Sequence, residues 1–375
     1  MQRAPRILFA GGGTGGHVYP AIAVADAIRS LEPEAALAFA GTQERMEWEA
    51  VPKAGYPIYP ITVVGLERKL TARNLAFPFK LVRGFAQSWD LVGAFDPDVV
   101  VGTGGFVAGP VLLAASLRGR PIVLQEQNAY AGMTNRLLAR RAAEIHVAFP
   151  EAGQAFPEGK SILSGNPTRP ELRTASRAEA RRFFDVPEDA PVLLVFGGSL
   201  GSLALNAAME AHLEALLADG QTHVLWQTGA RYFERLRGRV AAHPRLRLLK
   251  YIDRMDLAYA AADAALCRAG ALTCSELMVT GTPAVLVPSP NVAEDHQTKN
   301  AQSMAEAGAA VLLPESALDR ALVREAQALL GDAERRAAMT AAARALARPD
   351  AAERIARAVL RLARGKPHHA PETQA

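Results

Sequence analysis

ILFAGGGTGGHVYPAIAVADAI, residues 7–28, reads as an apolar strand, a glycine turn and a helix that begins near His17. The run Ile7–Ala10 holds no polar residue, as a strand covered on both faces of a parallel sheet requires. Gly11, Gly13 and Gly16 have the G-x-G-x-x-G spacing, which alone suggests a dinucleotide turn. Two more glycine turns follow, GTGGF at 102–106 and GGSLG at 197–201. One such loop is weak evidence. Spread over two halves of one chain, the three point to a phosphate-bearing donor and a second charged substrate.

Working outward, short apolar runs alternate with helical patterns. The runs 6–10, 36–40, 57–61, 98–101, 121–124 and 144–147 predict strands, with helices such as 17–31 and 107–118 between them. The order predicts right-handed crossovers and a doubly wound parallel sheet. At SILSGNPTRP, 161–170, the pattern pauses in a Gly-Asn-Pro turn, and Ser176 with Glu179 then forms a capping box. PVLLVFGGSLGS, 191–202, repeats the opening theme, and strands are expected at 222–227, 245–249, 263–266, 284–287 and 309–312. The reading is two α/β domains, 1–165 and 166–348, with a cleft between them. A final helix, 350–364, follows the break at Arg348-Pro349-Asp350 and is expected to cross back onto the first domain. The tail 365–375 reads as disordered.

A chain of 375 residues can bury two cores. With 42 Lys and Arg against 38 Asp and Glu the formal net charge is +4, too small to imply nucleic acid, and none is expected as a partner. Cys267 and Cys274 fit neither a disulfide framework nor a zinc spacing. No secretory h-region opens the chain, and no apolar run approaches the about 18 residues of a spanning helix, so a cytoplasmic protein is expected.

The glycine turn at 197–201 suits a diphosphate: backbone N–H groups converge, the following helix adds its positive end, and Ser199 offers a hydroxyl. No G-K-[ST] follows any glycine turn, which excludes a P-loop. A dehydrogenase needs an acid at the end of its second strand; that strand ends in AFAGT, and Glu44 lies beyond it on a loop. His17 at a helix start has its imidazolium form disfavoured, which suits a proton acceptor as well as a residue that only caps the loop. Glu276, in CRAGALTCSE, is placed on a helix just after a strand, where a carboxylate commonly accepts from ribose hydroxyls; the alternative reading is a solvated helix-face Glu. His296 and Gln297 follow a polar loop into a helix, a placement that suits reading sugar hydroxyls, although charged D-H-Q-x-K strings are usually surface. Asp96 and Asp98 have metal-like D-x-D spacing, but Pro97 between them favours a turn. Along 65–89, Leu75, Phe79, Val82, Phe85 and Trp89 form an apolar stripe flanked by Arg68, Lys69, Arg73, Lys80 and Arg83. That pattern suits an anionic membrane surface, and equally a core-facing helix.

Taken in order, GGGTGGHVYPAIAVA, GTGGFVAGP, QEQNAYAGMTNRLLAR, SGNPTRPEL, FGGSLGSLALN, YIDRM, CRAGALTCSE and DHQTKNA resemble the bacterial peptidoglycan N-acetylglucosaminyltransferases, from about Arg6 to about residue 360. The resemblance implies the GT-B fold: two Rossmann-like doubly wound parallel-sheet domains facing a cleft, the first for the acceptor and the membrane, the second for the donor. It implies an inverting hexosyltransferase that moves GlcNAc from UDP-GlcNAc to the C4 hydroxyl of MurNAc in lipid I, the undecaprenyl-diphosphate-linked MurNAc-pentapeptide. The product is lipid II, for cell wall biogenesis. No cofactor and no metal is implied for the chemistry, and the expected location is peripheral, on the cytoplasmic face of the plasma membrane. Carried across, Arg169, Gly198, Ser199, Gly201, Asn206, Ile252, Ala271, Leu272, Glu276, His296 and Gln297 fall on the donor side. Gly13, Thr14, Gly15, Gly16, Gly104, Gly105, Glu126 and Asn128 fall on the acceptor side, with His17 as the catalytic candidate, either the base or a ligand of the acceptor diphosphate. The chain departs from the family pattern at Thr103, Gln125, Ala269 and His296.

Overall fold

Strand β1 spans Arg6–Gly11, and the helix after it spans Gly15–Leu31. That helix starts at Gly15 rather than at His17. Thr14 takes an extended N-cap conformation, and the amides of His17 and Val18 both donate to its carbonyl, at 3.1 and 3.2 Å. His17 therefore lies within the first turn of the helix. The computed structural model describes residues 3–63 and 77–365.

Two compact units result, one of Met1–Thr168 with Pro349–Ala375, the other of Arg169–Arg348. Among the described residues, the first holds a seven-stranded parallel sheet in the order β3-β2-β1-β4-β5-β6-β7. Its remaining strands are β2 (Ala36–Gly41), β3 (Ile58–Pro60), β4 (Val99–Gly104), β5 (Ile122–Glu126), β6 (Glu144–Val147) and β7 (Ser161–Leu163). The second holds β8 (Val192–Phe196), β9 (His223–Gln227), β10 (Leu246–Leu249), β11 (Ala264–Cys267), β12 (Ala284–Leu286) and β13 (Val311–Leu312). Their order is β10-β9-β8-β11-β12-β13, again all parallel. β7 falls in the stretch read as a pause, because its three residues precede a run of turn formers. The helix Arg177–Phe184 does start after Ser176, but the Ser176 side chain makes no cap hydrogen bond.

Each central strand is buried on both faces, and alternation decides which core a residue joins. Ile7 and Phe9 pack with Val24 and Ile28 of helix 15–31 and with Ile355 and Val359 of the C-terminal helix Ala351–Ala363. Leu8 and Ala10 face the other way, onto Val111 and Leu112 of helix Ala108–Leu117. Arg361 of the C-terminal helix also pairs with Glu144 on β6, whose side chain is wholly buried. In the second unit Leu193 and Val195 meet Met209 and Leu213 of helix Leu203–Leu217, with Trp226 of β9 beside them. Each such large side chain contributes roughly 1.5–3 kcal/mol on burial.

Both sheets reverse direction at one place, since β1 is flanked by β2 and β4, and β8 by β9 and β11. At these switch points the connections diverge and leave a crevice beyond the carboxyl ends of the strands. The turns after β1 and β4 occupy the first, and those after β8 and β11 the second. In the first the two turns touch: Gly12 N–H donates to the Gly104 carbonyl at 3.3 Å. A Cβ on Gly105 (φ +80°) would stand 2.3 Å from the Gly12 oxygen. Gly119 has a similar φ of +72° but open space around it. Gly119→Ala is thus expected to cost about 1 kcal/mol of backbone strain, and Gly105→Ala a further 1–3 kcal/mol for displaced backbone. Urea denaturation compares them; equal midpoints would show that the turns do not need this close approach.

Candidate functional site

At the second switch point β8 runs into the turn 197–201. A Cβ on Gly201 (φ +77°) would stand 2.0 Å from the Thr228 carbonyl oxygen at the end of β9. Helix 203–217 is capped by Ser202, whose Oγ accepts the Leu205 amide at 3.4 Å and a bond from Arg268 Nε at 3.0 Å. Arg268 also reaches the carbonyls of Val287 and Pro288 and the Glu315 carboxylate, so it braces the ends of three strands. Ser199, the expected hydroxyl donor, stands exposed at the tip of the turn. The first turn of helix 203–217 carries no acidic residue, which leaves its positive end uncompensated for an anion.

After β11, the helix Ala271–Thr280 starts with Ala271 and Leu272 and carries Glu276 into the interior. The Glu276 side chain is 9% exposed, which excludes a solvated helix face. Its Oε2 accepts from the Tyr259 hydroxyl at 3.0 Å, and its Oε1 accepts from Arg169 Nη2 at 3.3 Å. Burial pushes the Glu276 carboxyl above its ordinary range, with Arg169 and Tyr259 pulling it back. Burial, and then Glu276, raise the Tyr259 phenol well above its usual value.

Other residues expected on the donor side serve the frame here. Asn206 is 2% exposed; it accepts from Trp226 Nε1 at 3.0 Å and donates to the Thr228 carbonyl at 2.8 Å. The Ile252 amide donates to Gln227 Oε1 at 2.8 Å. Gln297 Oε1 accepts the Ser289 amide at 2.8 Å and pins the loop ahead of helix His296–Glu306. In that loop Glu294 and Asp295 have φ of +55° and +51°. The left-handed region costs each roughly 1–2 kcal/mol, a strain typical of ligand loops. His296 is half-buried at the helix start, and Ala269 is buried, with its carbonyl accepting from Asn300 at 3.1 Å.

At the first switch point Thr103 Oγ1 donates to the His17 carbonyl at 2.8 Å, and Gln127 Nε2 to the Thr103 carbonyl at 2.6 Å. His17 Nδ1 lies 3.1 Å from the Gly12 carbonyl oxygen and 3.3 Å from Thr14 Oγ1. A carbonyl only accepts, so Nδ1 carries the proton, and the lone pair of the neutral ring sits on Nε2. Gly104 makes room for this ring, since a Cβ there would stand 3.0 Å from Nε2. Gly13 and Thr14 are exposed, and Gly15 and Gly16 are half-buried. The Gly13 amide is already engaged: it donates at 2.9 Å to Glu47, a buried carboxylate that also accepts from Thr42 N at 3.2 Å. Glu126, 2% exposed, accepts from the Asn128 amide, the Gly132 amide and Asn135 Nδ2 at 3.1, 3.0 and 2.8 Å. It anchors the loop on which Asn128 sits.

Asp96 and Asp98 form a turn tied down by arginines: Arg3 reaches both, Arg120 reaches Asp96, and the Arg6 amide donates to Asp98 at 2.8 Å. Leu75 and the Phe79 side chain lie outside the described residues. The rest of the apolar stripe divides. Val82 is 69% exposed with Leu81 beside it, Phe85 packs on the core, and Trp89 lies under the Arg118 guanidinium at 4.2 Å. Sequence reasoning missed Glu47, Asn135, Ser202, Gln227, Tyr259 and Arg268. Of these, only Ser202 had a local signal, a serine just ahead of an apolar helical run.

The raised Glu276 carboxyl has a consequence for stability. As pH climbs past the ordinary carboxylate range, unfolded chains lose this proton first, so stability falls until the folded group has also ionised. Glu276→Gln, which is neutral throughout, is expected to raise the Tm of the protein relative to the parent, by a gap that widens as pH rises above the ordinary carboxylate range. Calorimetric scans check this; a gap that is constant or reversed would contradict the burial argument.

Comparison with known proteins agrees with this architecture. The profile of the glycosyltransferase family 28 N-terminal domain matches residues 7–147, and that of the C-terminal domain matches residues 192–355. A UDP-N-acetylglucosamine--N-acetylmuramyl-(pentapeptide) pyrophosphoryl-undecaprenol N-acetylglucosamine transferase of Salinibacter ruber is 63% identical over 361 residues, 96% of this chain and 98% of that protein. The crystal structure of Acinetobacter baumannii MurG is similar with a TM-score of 0.77 at 32% identity, over 95% of this chain and 99% of that one. A UDP-N-acetylglucosamine 2-epimerase structure, TM-score 0.67 at 12% identity over 99% of this chain and 100% of that one, shares the fold alone. With two Rossmann-like parallel-sheet domains of the GT-B type, the chain belongs to glycosyltransferase family 28, among its peptidoglycan N-acetylglucosaminyltransferases.

Proposed function

We propose that this chain is the inverting hexosyltransferase that moves GlcNAc from UDP-GlcNAc to the C4 hydroxyl of MurNAc in lipid I, giving lipid II for peptidoglycan synthesis. The observation that carries the reading is the unequal equipment of the two switch points. The one at β8 and β11 combines a phosphate-sized glycine turn with the buried carboxylate Glu276, which suits a nucleoside diphosphate. The one at β1 and β4 presents His17 between two glycine turns, which suits the lipid diphosphate and the reacting hydroxyl. The 63% identity to the Salinibacter ruber enzyme over 96% of the chain supports the same substrates.

The reaction is one in-line displacement. The C4 oxygen bonds to the anomeric carbon of GlcNAc as the bond to the UDP oxygen breaks, and the C4 proton passes to His17 Nε2. Charge that develops on UDP is met by the N-terminus of helix 203–217 and by Arg169, whose side chain is 52% exposed beside Glu276. This arrangement needs no metal and no cofactor. Labelled UDP-GlcNAc is expected to give transfer only with a lipid I analogue, at a rate EDTA leaves unchanged. Conversion of UDP-GlcNAc without acceptor would instead favour an epimerase. His17→Ala is expected to lower kcat by roughly 10²–10⁴ at saturating acceptor; a raised KM alone would remove the base role.

The first unit serves as a peripheral contact with the cytoplasmic face of the plasma membrane. Among the described residues no helix is long and apolar enough to cross a membrane. Leu81 and Val82 are exposed on helix Phe77–Phe95 next to Lys80 and Arg83. Apolar anchors flanked by cations bind anionic leaflets. Replacing Leu81 and Val82 by Ser is expected to release the protein from phosphatidylglycerol vesicles without lowering its Tm; undiminished sedimentation with vesicles would refute the contact.

A further inference from the structure

β9 ends at Gln227, a side chain 3% exposed. Both ends of its carboxamide are used. Nε2 donates to the Gly198 carbonyl at 3.0 Å, and Oε1 accepts the Ile252 amide at 2.8 Å. The same Gly198 carbonyl closes the glycine turn by accepting from Gly201 N at 3.0 Å. Beyond Lys250, whose carbonyl still accepts from Gly229 N at 3.1 Å, the chain leaves the β9 ladder, and the Gln227 side chain reaches across to it. One buried amide thus spans the turn read as the diphosphate site and the loop of Ile252, in YIDRM, which the family resemblance places at the uracil edge.

We infer that Gln227 is a positioning residue that fixes the spacing of the diphosphate and base subsites, and so couples selectivity for uracil to recognition of the second phosphate. The inference rests on the donor assignment proposed above. The chemistry of the side chain carries it. Only a carboxamide of this length is uncharged and both donates and accepts, so only Gln satisfies a carbonyl on one loop and an amide on the other. A shift of either loop would leave a buried polar group unpaired, at a cost larger than the net worth of the bond itself. Glutamate would keep an acceptor for Ile252 N and lose the donor for Gly198. Leucine would lose both.

Full-length parent protein, Gln227→Glu and Gln227→Leu are to be titrated with UDP, UMP and CDP in a calorimeter at neutral pH. In the parent, the UDP-to-UMP affinity ratio reads the second phosphate and the UDP-to-CDP ratio reads the base edge. Gln227→Leu is expected to lower both ratios, each by about tenfold, while Gln227→Glu lowers the UDP-to-UMP ratio by about tenfold and keeps the UDP-to-CDP ratio within about twofold. Affinities that fall alike for all three nucleotides, or a lower Tm with both ratios intact, would mean a merely structural role and overturn the inference. Should Gln227→Leu fail to fold, Gln227→Glu decides alone: loss of both ratios, or of neither, overturns it. A parent protein that binds no UDP would instead overturn the donor assignment on which the inference stands.

Discussion

The contact on which both units depend is backbone against backbone, where turns meet at the carboxyl ends of the strands. In the first unit the Gly12 amide meets the Gly104 carbonyl at 3.3 Å. In the second a Cβ on Gly229 would stand 2.5 Å from Gly201 N. A side chain at Gly105, 2.3 Å from the Gly12 oxygen, or at Gly229 would wedge the turns apart. Glycine therefore does more here than tolerate positive φ: it lets neighbouring connections close on each other, so that the crevice is walled by amides, carbonyls and the first turns of helices. Such walls offer mostly backbone dipoles to an anion.

Against that common frame, the carboxylates divide by how many donors they already hold. Glu126 receives two loop amides and two asparagine side chains, and Glu47 receives the amides of Gly13 and Thr42. Buried charges so supplied act as anchors for loops. Among the described residues Glu276 accepts from the Tyr259 hydroxyl and from one arm of Arg169, and burial still holds its carboxyl above the ordinary range. A carboxylate short of donors gains most from a ligand that brings hydroxyls.

The strands were legible because parallel strands buried on both faces spell uninterrupted apolar runs, as in Ile7–Ala10 and Val192–Phe196. The glycine turns were legible because φ and close approach leave few alternatives to Gly. What escaped depends on partners distant in the chain. Gln227 meets Gly198 and Ile252 at separations of 29 and 25 residues, and Tyr259 meets Glu276 at 17. No local pattern marks such residues, and a tyrosine in an apolar helix reads as core. Ser199 drew attention over Ser202 because it sits inside the glycine motif, yet the cap is set by where the backbone turns helical, three residues on. Likewise β7 escaped because a three-residue strand beside Gly-Asn-Pro has no period to read.

Glu47 sets the turn at Gly11–Gly16 apart from a dinucleotide site despite its G-x-G-x-x-G spacing. A dinucleotide site needs two things at that switch point: turn amides open to a pyrophosphate, and an acid beyond the second strand for a ribose. Here an acid does follow β2, in the first turn of helix Glu47–Lys53, but it points inward. It takes the Gly13 amide at 2.9 Å and the Thr42 amide at 3.2 Å. One bond thus spends both requirements at once, the acid and a turn amide. What remains exposed at that turn is Gly13 and Thr14, with the helix N-terminus and the Nε2 face of His17 behind them. With that acid and that amide bound to each other, the turn lacks the pair that a dinucleotide site at this switch point requires.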